Sequence, residues 1–179
     1  MKAFERLLKY AAIRTPSDEE SDTVPSSACQ FELAHHLYRE LFTMGITDVK
    51  VDTQCYLYAH IPATPGYEDR PKLGFIAHLD TVSDFCDRRI IPVIYADYNG
   101  RELPLGTSGR VLSPDMFPHL KDLKGRTLIT SDGTTILGAD DKAGIAEIIT
   151  MAERILDENI PHGPISIALT PDEEIGMGA

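Results

Sequence analysis

Phe4, Leu7, Leu8 and Ala11 recur at the spacing of one helical face, which predicts a short helix over residues 3–13 that Thr15-Pro16 ends. The acid-rich stretch from Ser17 to Ser26 reads as an exposed loop. A longer helix is expected from about Ser26 to Met44, with Phe31, Ala34, Leu37, Tyr38 and Leu41 on one face and Gly45 as its stop. Val49 to Val51 alternates like a strand, and Tyr56 to Ile61 looks like its neighbour, followed by loop chemistry at Pro62 to Gly66. Leu73 to Ala77 and Ile165 to Leu169 are continuous apolar runs, each expected as a buried strand, the first of them central. Residues 83–126 are less regular. A strand at Ile90 to Tyr95 and a tight turn at Asn99-Gly100 predict a hairpin-bearing insertion there, beside the site. Two short runs, Thr127 to Ile129 and Thr135 to Leu137, then deliver the chain to a helix after Asp141. Its stripe is Ile145, Ile148, Ile149, Ala152, Ile155 and Leu156.

Strands alternating with helices predict an α/β fold, a layered mixed sheet with flanking helices. The unusual polar residues sit at three expected strand ends: His78-Leu79-Asp80, Asp140-Asp141 and Asp172-Glu173-Glu174. Ligand sites in open α/β sheets gather at the carboxyl ends of strands, so a site is expected where these three meet.

Composition narrows the function. A chain of 179 residues is long enough for one well-cored domain. The formal net charge of −11 argues against nucleic acid and against anionic membrane surfaces. No apolar run has the length of a membrane span, and residues 1–6 lack the apolar core of a signal peptide. Cys29, Cys55 and Cys86 share no ligand-like spacing and read as reduced thiols of a cytoplasmic protein.

Taken alone, Asp140-Asp141 reads as a helix cap, and a histidine at a strand end as structural. Their company changes this. On an extended segment the side chains of His78 and Asp80 point to one side, which suits an imidazole ligand steadied by a carboxylate. Asp140 adds an oxygen able to bridge two cations. Of Glu173 and Glu174, one can bind metal while the other stays free as general base. Imidazole with several carboxylates suits Zn²⁺, with Mn²⁺ or Co²⁺ as substitutes. Two such cations would activate a water and polarise a substrate carbonyl, with Glu173 moving the proton to the leaving amine. The chain has no nucleophile elbow, phosphate loop or dinucleotide fingerprint.

With these residues in hand, the chain resembles the peptidase T group of tripeptide aminopeptidases, within the M20 class of cocatalytic-zinc metallopeptidases. The resemblance lies in Ala12 to Ser17, Met44 to Ile46, Ala77 to Thr81, Gly106 to Gly125, Leu137 to Gly144 and Thr170 to Gly176. It implies a phosphorylase/hydrolase-like di-zinc peptidase catalytic domain acting on small peptides. His78 would bind one zinc and Glu174 the other, with Asp140 bridging both. Asp80 would orient His78, Glu173 would be the general base, and the Asp140-Asp141 peptide would be cis.

The resemblance also implies a further acidic zinc ligand, an inserted lid or dimerisation domain and a late histidine ligand, none of which the sequence to Ala179 contains. The chain is therefore expected to be the N-terminal part of the catalytic domain, inactive alone, with any homodimer running through the absent domain. Two other readings stand beside it: an M20-type deacylase or dipeptidase, and a non-catalytic metal-binding truncation product.

Overall fold

In the computed structural model, which describes residues 1–177, the apolar runs pair into a four-stranded sheet. Its strands are β1 (Val49–Val51), β2 (Leu57–Ile61), β3 (Leu73–His78) and β8 (Ile165–Thr170), in the order β1-β2-β8-β3. β1, β2 and β8 run antiparallel in turn, and β3 runs parallel to β8. The mixed sheet expected from the alternation of elements is present. Parallel pairing is what matters for function: it sets His78 opposite Thr170, so both strands release their polar ends at one edge.

Three helices pack on one face: α1 (Ala3–Ala11), α2 (Gln30–Thr43) and α3 (Ala139–Asp157). Leu33, Leu37 and Leu41 of α2 and Ile145 and Ile149 of α3 close over Leu57, Ala59, Ile165, Ile167 and Leu169. Each large apolar side chain fully buried this way contributes about 1.5–3 kcal/mol. α2 ends as expected at Gly45 (φ +93°), where the amides of Gly45 and Ile46 return to the carbonyls of Phe42 and Leu41. α1 stops at Ala11, two residues before the expected end. α2 begins only at Gln30: the Ser26 hydroxyl oxygen already accepts the Asp18 amide (2.9 Å) while its hydrogen goes to the side chain of Asp172, so it does not cap a helix.

The expected central position of Leu73 to Ala77 is overturned. β2 already occupies one side of β8, so β3 pairs on the other and forms the sheet edge among the described residues. Its Ile76, on the face away from the helices, is 73% exposed. The strand end expected before Asp140 is absent too. Thr135 to Leu137 is irregular, and the preceding strand, β7 (Leu128–Ser131), pairs elsewhere.

That partner is β4 (Pro92–Tyr95), and residues Asp84–Leu137 form a compact unit of their own. The unit holds the β5 (Leu103–Pro104) and β6 (Val111–Leu112) hairpin around a small core of Tyr98, Leu103 and Leu120. The first unit comprises Met1–Ser83 and the chain from Gly138 onward, and it contains every residue singled out above for chemistry.

Candidate metal centre

His78, Asp140 and Glu174 each turn a ligand atom to one place, and those three atoms lie within 4.8 Å of one another. The imidazole is aimed from behind. Its Nδ1 is 2.9 Å from the Asp80 main-chain oxygen and 3.4 Å from Asp80 Oδ1. An N–H at Nδ1 satisfies both, so Nε2 faces Asp140 Oδ1 at 3.1 Å and Glu173 Oε2 at 3.8 Å. Asp80 itself is wholly buried. Its two carboxylate oxygens accept the amides of Glu173 (2.9 Å) and Glu174 (3.1 Å), so one side chain steadies both the histidine and the turn that carries the two acids.

The two adjacent aspartates have divided their work. Gly138 (φ +69°) turns the chain into α3, but Asp140 and Asp141 keep non-helical dihedrals and regular helix begins at Lys142. Asp141 Oδ1 accepts the Gly144 amide at 3.0 Å, which is the capping role. Asp140, freed from that task, keeps its carboxylate 86% exposed and beside His78. The peptide bond between them is cis.

Charge is concentrated accordingly. Burial of His78 lowers its pKa, but the Asp80 carboxylate and then Asp140 outweigh that and raise it to about 9. Burial raises Glu174, with the neighbouring Asp140, Asp80 and Glu173 carboxylates adding to the effect and His78 opposing it. Burial would also raise Asp80, yet the His78 ring and the two accepted amides hold it below the usual carboxylate range. An imidazole nitrogen and two carboxylates converging, with a raised carboxylate pKa between like charges, is a donor set that fits a divalent cation.

The structure brings His78, Asp80, Asp140, Glu173 and Glu174 together, and Glu173 and Glu174 are separated by placement. Glu174 belongs to the converging set, while Glu173 stands at its side, 59% exposed. Lys142, two residues past Asp140, has a structural place. Its wholly buried ammonium reaches the Ile13 carbonyl at 2.5 Å, anchoring the start of α3 to the segment after α1. Thr15-Pro16 read from periodicity only as a helix stop, yet Thr15 Oγ1 donates to the Leu79 carbonyl (2.8 Å) and Thr15 O accepts the Thr81 amide (2.9 Å).

No family model matches the chain. Among curated proteins, it is 51% identical to peptidase T of an Exiguobacterium species over 99% of this chain and 43% of the relative. To peptidase T of Vibrio cholerae it is 49% identical over 97% of this chain and 42% of the relative. Among solved structures, the aminopeptidase PepT of Bacillus cereus superposes with a TM-score of 0.63 at 25% identity, covering 97% of this chain and 36% of that one. A tripeptidase of Staphylococcus aureus gives 0.63 at 26% over 98% and 37%. The aminoacylhistidine dipeptidase of Vibrio alginolyticus gives 0.59 at 26% over 98% and 28%. Over nearly all of its own length the chain is similar to peptidase T, and it spans about two-fifths of the length of the relatives it matches.

Proposed function

We propose that this chain carries part of the metal centre of a tripeptide aminopeptidase, the complete protein releasing the N-terminal residue of small peptides. The observation that carries the reading is the convergence of His78, Asp140 and Glu174 with Glu173 free beside them. His78, Asp140 and Glu174 would hold divalent metal, with Zn²⁺ the best match to the donors and Mn²⁺ or Co²⁺ able to replace it. Bound metal would supply a water of lowered pKa and a polarised scissile carbonyl. The chain's own residues do the rest. Asp80 locks the His78 ring and the Glu173–Glu174 turn, and Asp141 keeps the N-terminus of α3 capped so that Asp140 stays turned to the site. Glu173 Oε takes a proton from the attacking water and passes it to the departing amine. Among the described residues no helix is long and apolar enough to cross a membrane, and the cytoplasm is the compartment proposed.

Glu173→Gln in a full-length peptidase T tests the assignment. Turnover of a tripeptide should fall by about 10²–10⁴-fold with metal content unchanged. Loss of metal instead would exchange the roles of Glu173 and Glu174. The similarity to the aminoacylhistidine dipeptidase favours a second reading, a dipeptidase or deacylase of the same class. Faster hydrolysis of dipeptides or N-acyl amino acids than of free tripeptides would establish it.

A further inference from the structure

Asp172 lies one residue before Glu173 and has no part in the converging set. Its carboxylate is completely buried and accepts three hydrogen bonds, all from one short stretch: Ser26 N (2.7 Å), Ser26 Oγ (2.5 Å) and Gln30 Nε2 (2.6 Å). Its backbone is left-handed (φ +58°, ψ 28°), a conformation in which glycine is the unstrained choice. A buried, triply bonded aspartate at such a position marks a bend fixed from outside. The bend is where the chain leaves β8 and turns Glu173 and Glu174 toward His78. The Met177 amide closes on the Asp172 carbonyl at 3.0 Å, completing the turn.

The stretch that holds Asp172 belongs to a longer segment that also holds the other two ligand loops. Lys142, at the start of α3 two residues after Asp140, reaches the Ile13 carbonyl. Thr15 and Ser17 exchange main-chain bonds with Thr81, just past His78 and Asp80. Ser27 Oγ ties the two ends of the segment together through the Pro16 carbonyl. Three loops that come from distant parts of the sequence are thus bonded to a single piece of chain.

We propose that residues 13–30 act as a bracket that sets the spacing of the three ligand side chains, and that Asp172 is the positioning residue through which it aims Glu173 and Glu174. The proposal rests on the metal-centre reading for its purpose, though not for its geometry. Asp172 touches no reacting group. It acts by fixing the bend that presents two amides to Asp80, so its loss should free those amides before it loosens the strand.

The test is residue-resolved amide hydrogen exchange on the metal-free 179-residue chain, paired with Co²⁺ titration followed by visible absorption. Asp172→Asn keeps the side-chain size but sets an amide nitrogen against either the Ser26 amide or the pair Ser26 Oγ and Gln30 Nε2. Exchange at Glu173 and Glu174 should accelerate at least about tenfold, while Ile167 and Leu169 in β8 stay within about twofold. Co²⁺ affinity should fall by about tenfold, with an altered absorption band. Ser26→Ala removes one of the three bonds and should show the same pattern at about threefold, which decides the matter if Asp172→Asn does not fold. Unchanged exchange at Glu173 and Glu174, or acceleration spread evenly through β8, overturns the positioning role. A wild-type chain that binds no Co²⁺ overturns the metal-centre reading instead, and the exchange rates still decide the bracket.

Discussion

Asp80→Asn is the substitution that separates a carboxylate needed for its two oxygens from one that merely fills space. The side chain is buried, and both oxygens accept main-chain amides, at 2.9 Å from Glu173 and 3.1 Å from Glu174. Asparagine has nearly the same volume but only one acceptor. Whichever way its amide turns, an N–H faces an N–H. The change removes one hydrogen bond to a charged acceptor, about 1.5–3 kcal/mol, and leaves buried donors unsatisfied at about 1–3 kcal/mol. These contributions overlap, so the expected net loss is about 2–4 kcal/mol. With a urea m-value of about 2 kcal/mol/M, the unfolding midpoint should drop by about 1–2 M.

The same substitution should reach the metal site without touching a ligand. The Asp80 carboxylate also lies 3.4 Å from His78 Nδ1, so both the imidazole and the Glu173–Glu174 turn lose a restraint. Removing a group that orients metal ligands weakens affinity by about 10–100-fold. Urea unfolding followed by circular dichroism gives the first number, and Co²⁺ titration of the same sample gives the second. A midpoint within about 0.3 M of wild type and an affinity within about threefold would refute the reasoning, because neither could hold if both amides depend on that carboxylate.

Arg6, 1% exposed, bonds Glu40 at 2.8 Å and Glu153 at 2.9 Å, so Arg6→Met strands two acids that are only partly hydrated. It should cost about 2–3 kcal/mol and lower the thermal midpoint by about 5–10 °C in a melting experiment. The same cluster predicts a pH dependence. Arg6, then the Met1 amine, hold Glu153 down at about 2, from an ordinary 4.5. A depressed acid stabilises the fold fully above its unfolded value and loses that contribution as pH falls from about 4.5 toward 2; allowing for solvent screening, about 1–2 kcal/mol is at stake. Urea midpoints of Arg6→Met should therefore fall less steeply than wild type across that window. Gly144→Ala should be nearly silent in stability yet visible in metal binding. A Cβ there would stand 2.3 Å from Asp141 Oδ1, breaking the cap at a cost of about 1 kcal/mol, while alanine returns about 1 kcal/mol of helix propensity. Asp141 must move, and Co²⁺ affinity at the neighbouring Asp140 should fall.

What the sequence revealed and what it hid follow one physical division. Periodicity is local, so α2, α3 and the apolar runs of β2, β3 and β8 were legible, as was the meeting of His78, Asp140 and Glu174 at one end of the sheet. Strand position depends on partners far away, and the apolar run Leu73 to Ala77 gave no warning that β2 would take one side of β8 and leave β3 at the edge among the described residues. The late start of α2 has the same origin. Ser26 is a good capping residue by type, but its hydroxyl and amide go to Asp172, 146 residues away. Lys142 was opaque because its partner is a main-chain carbonyl, and a carbonyl leaves no mark on composition.

The pair Glu173-Glu174 shows how far residue type can go and where geometry must take over. Two consecutive glutamates after a buried strand are interchangeable on paper, since one ligand and one base are wanted and both are carboxylates. The turn breaks the symmetry. Asp80 grips the two amides with separate oxygens, which fixes the backbone of both residues and sends their side chains in different directions. Glu174 turns inward to His78 and Asp140, where burial and its acidic neighbours raise its pKa. In that position a carboxylate gains most from a cation. Glu173 turns outward, 59% exposed with an oxygen 3.8 Å from His78 Nε2. A general base must reach the site and still exchange its proton, so it has to be mobile and wetted where a ligand has to be held. Of the two glutamates, Glu173 is the one whose placement suits the proposed base, because its neighbour has been taken inward.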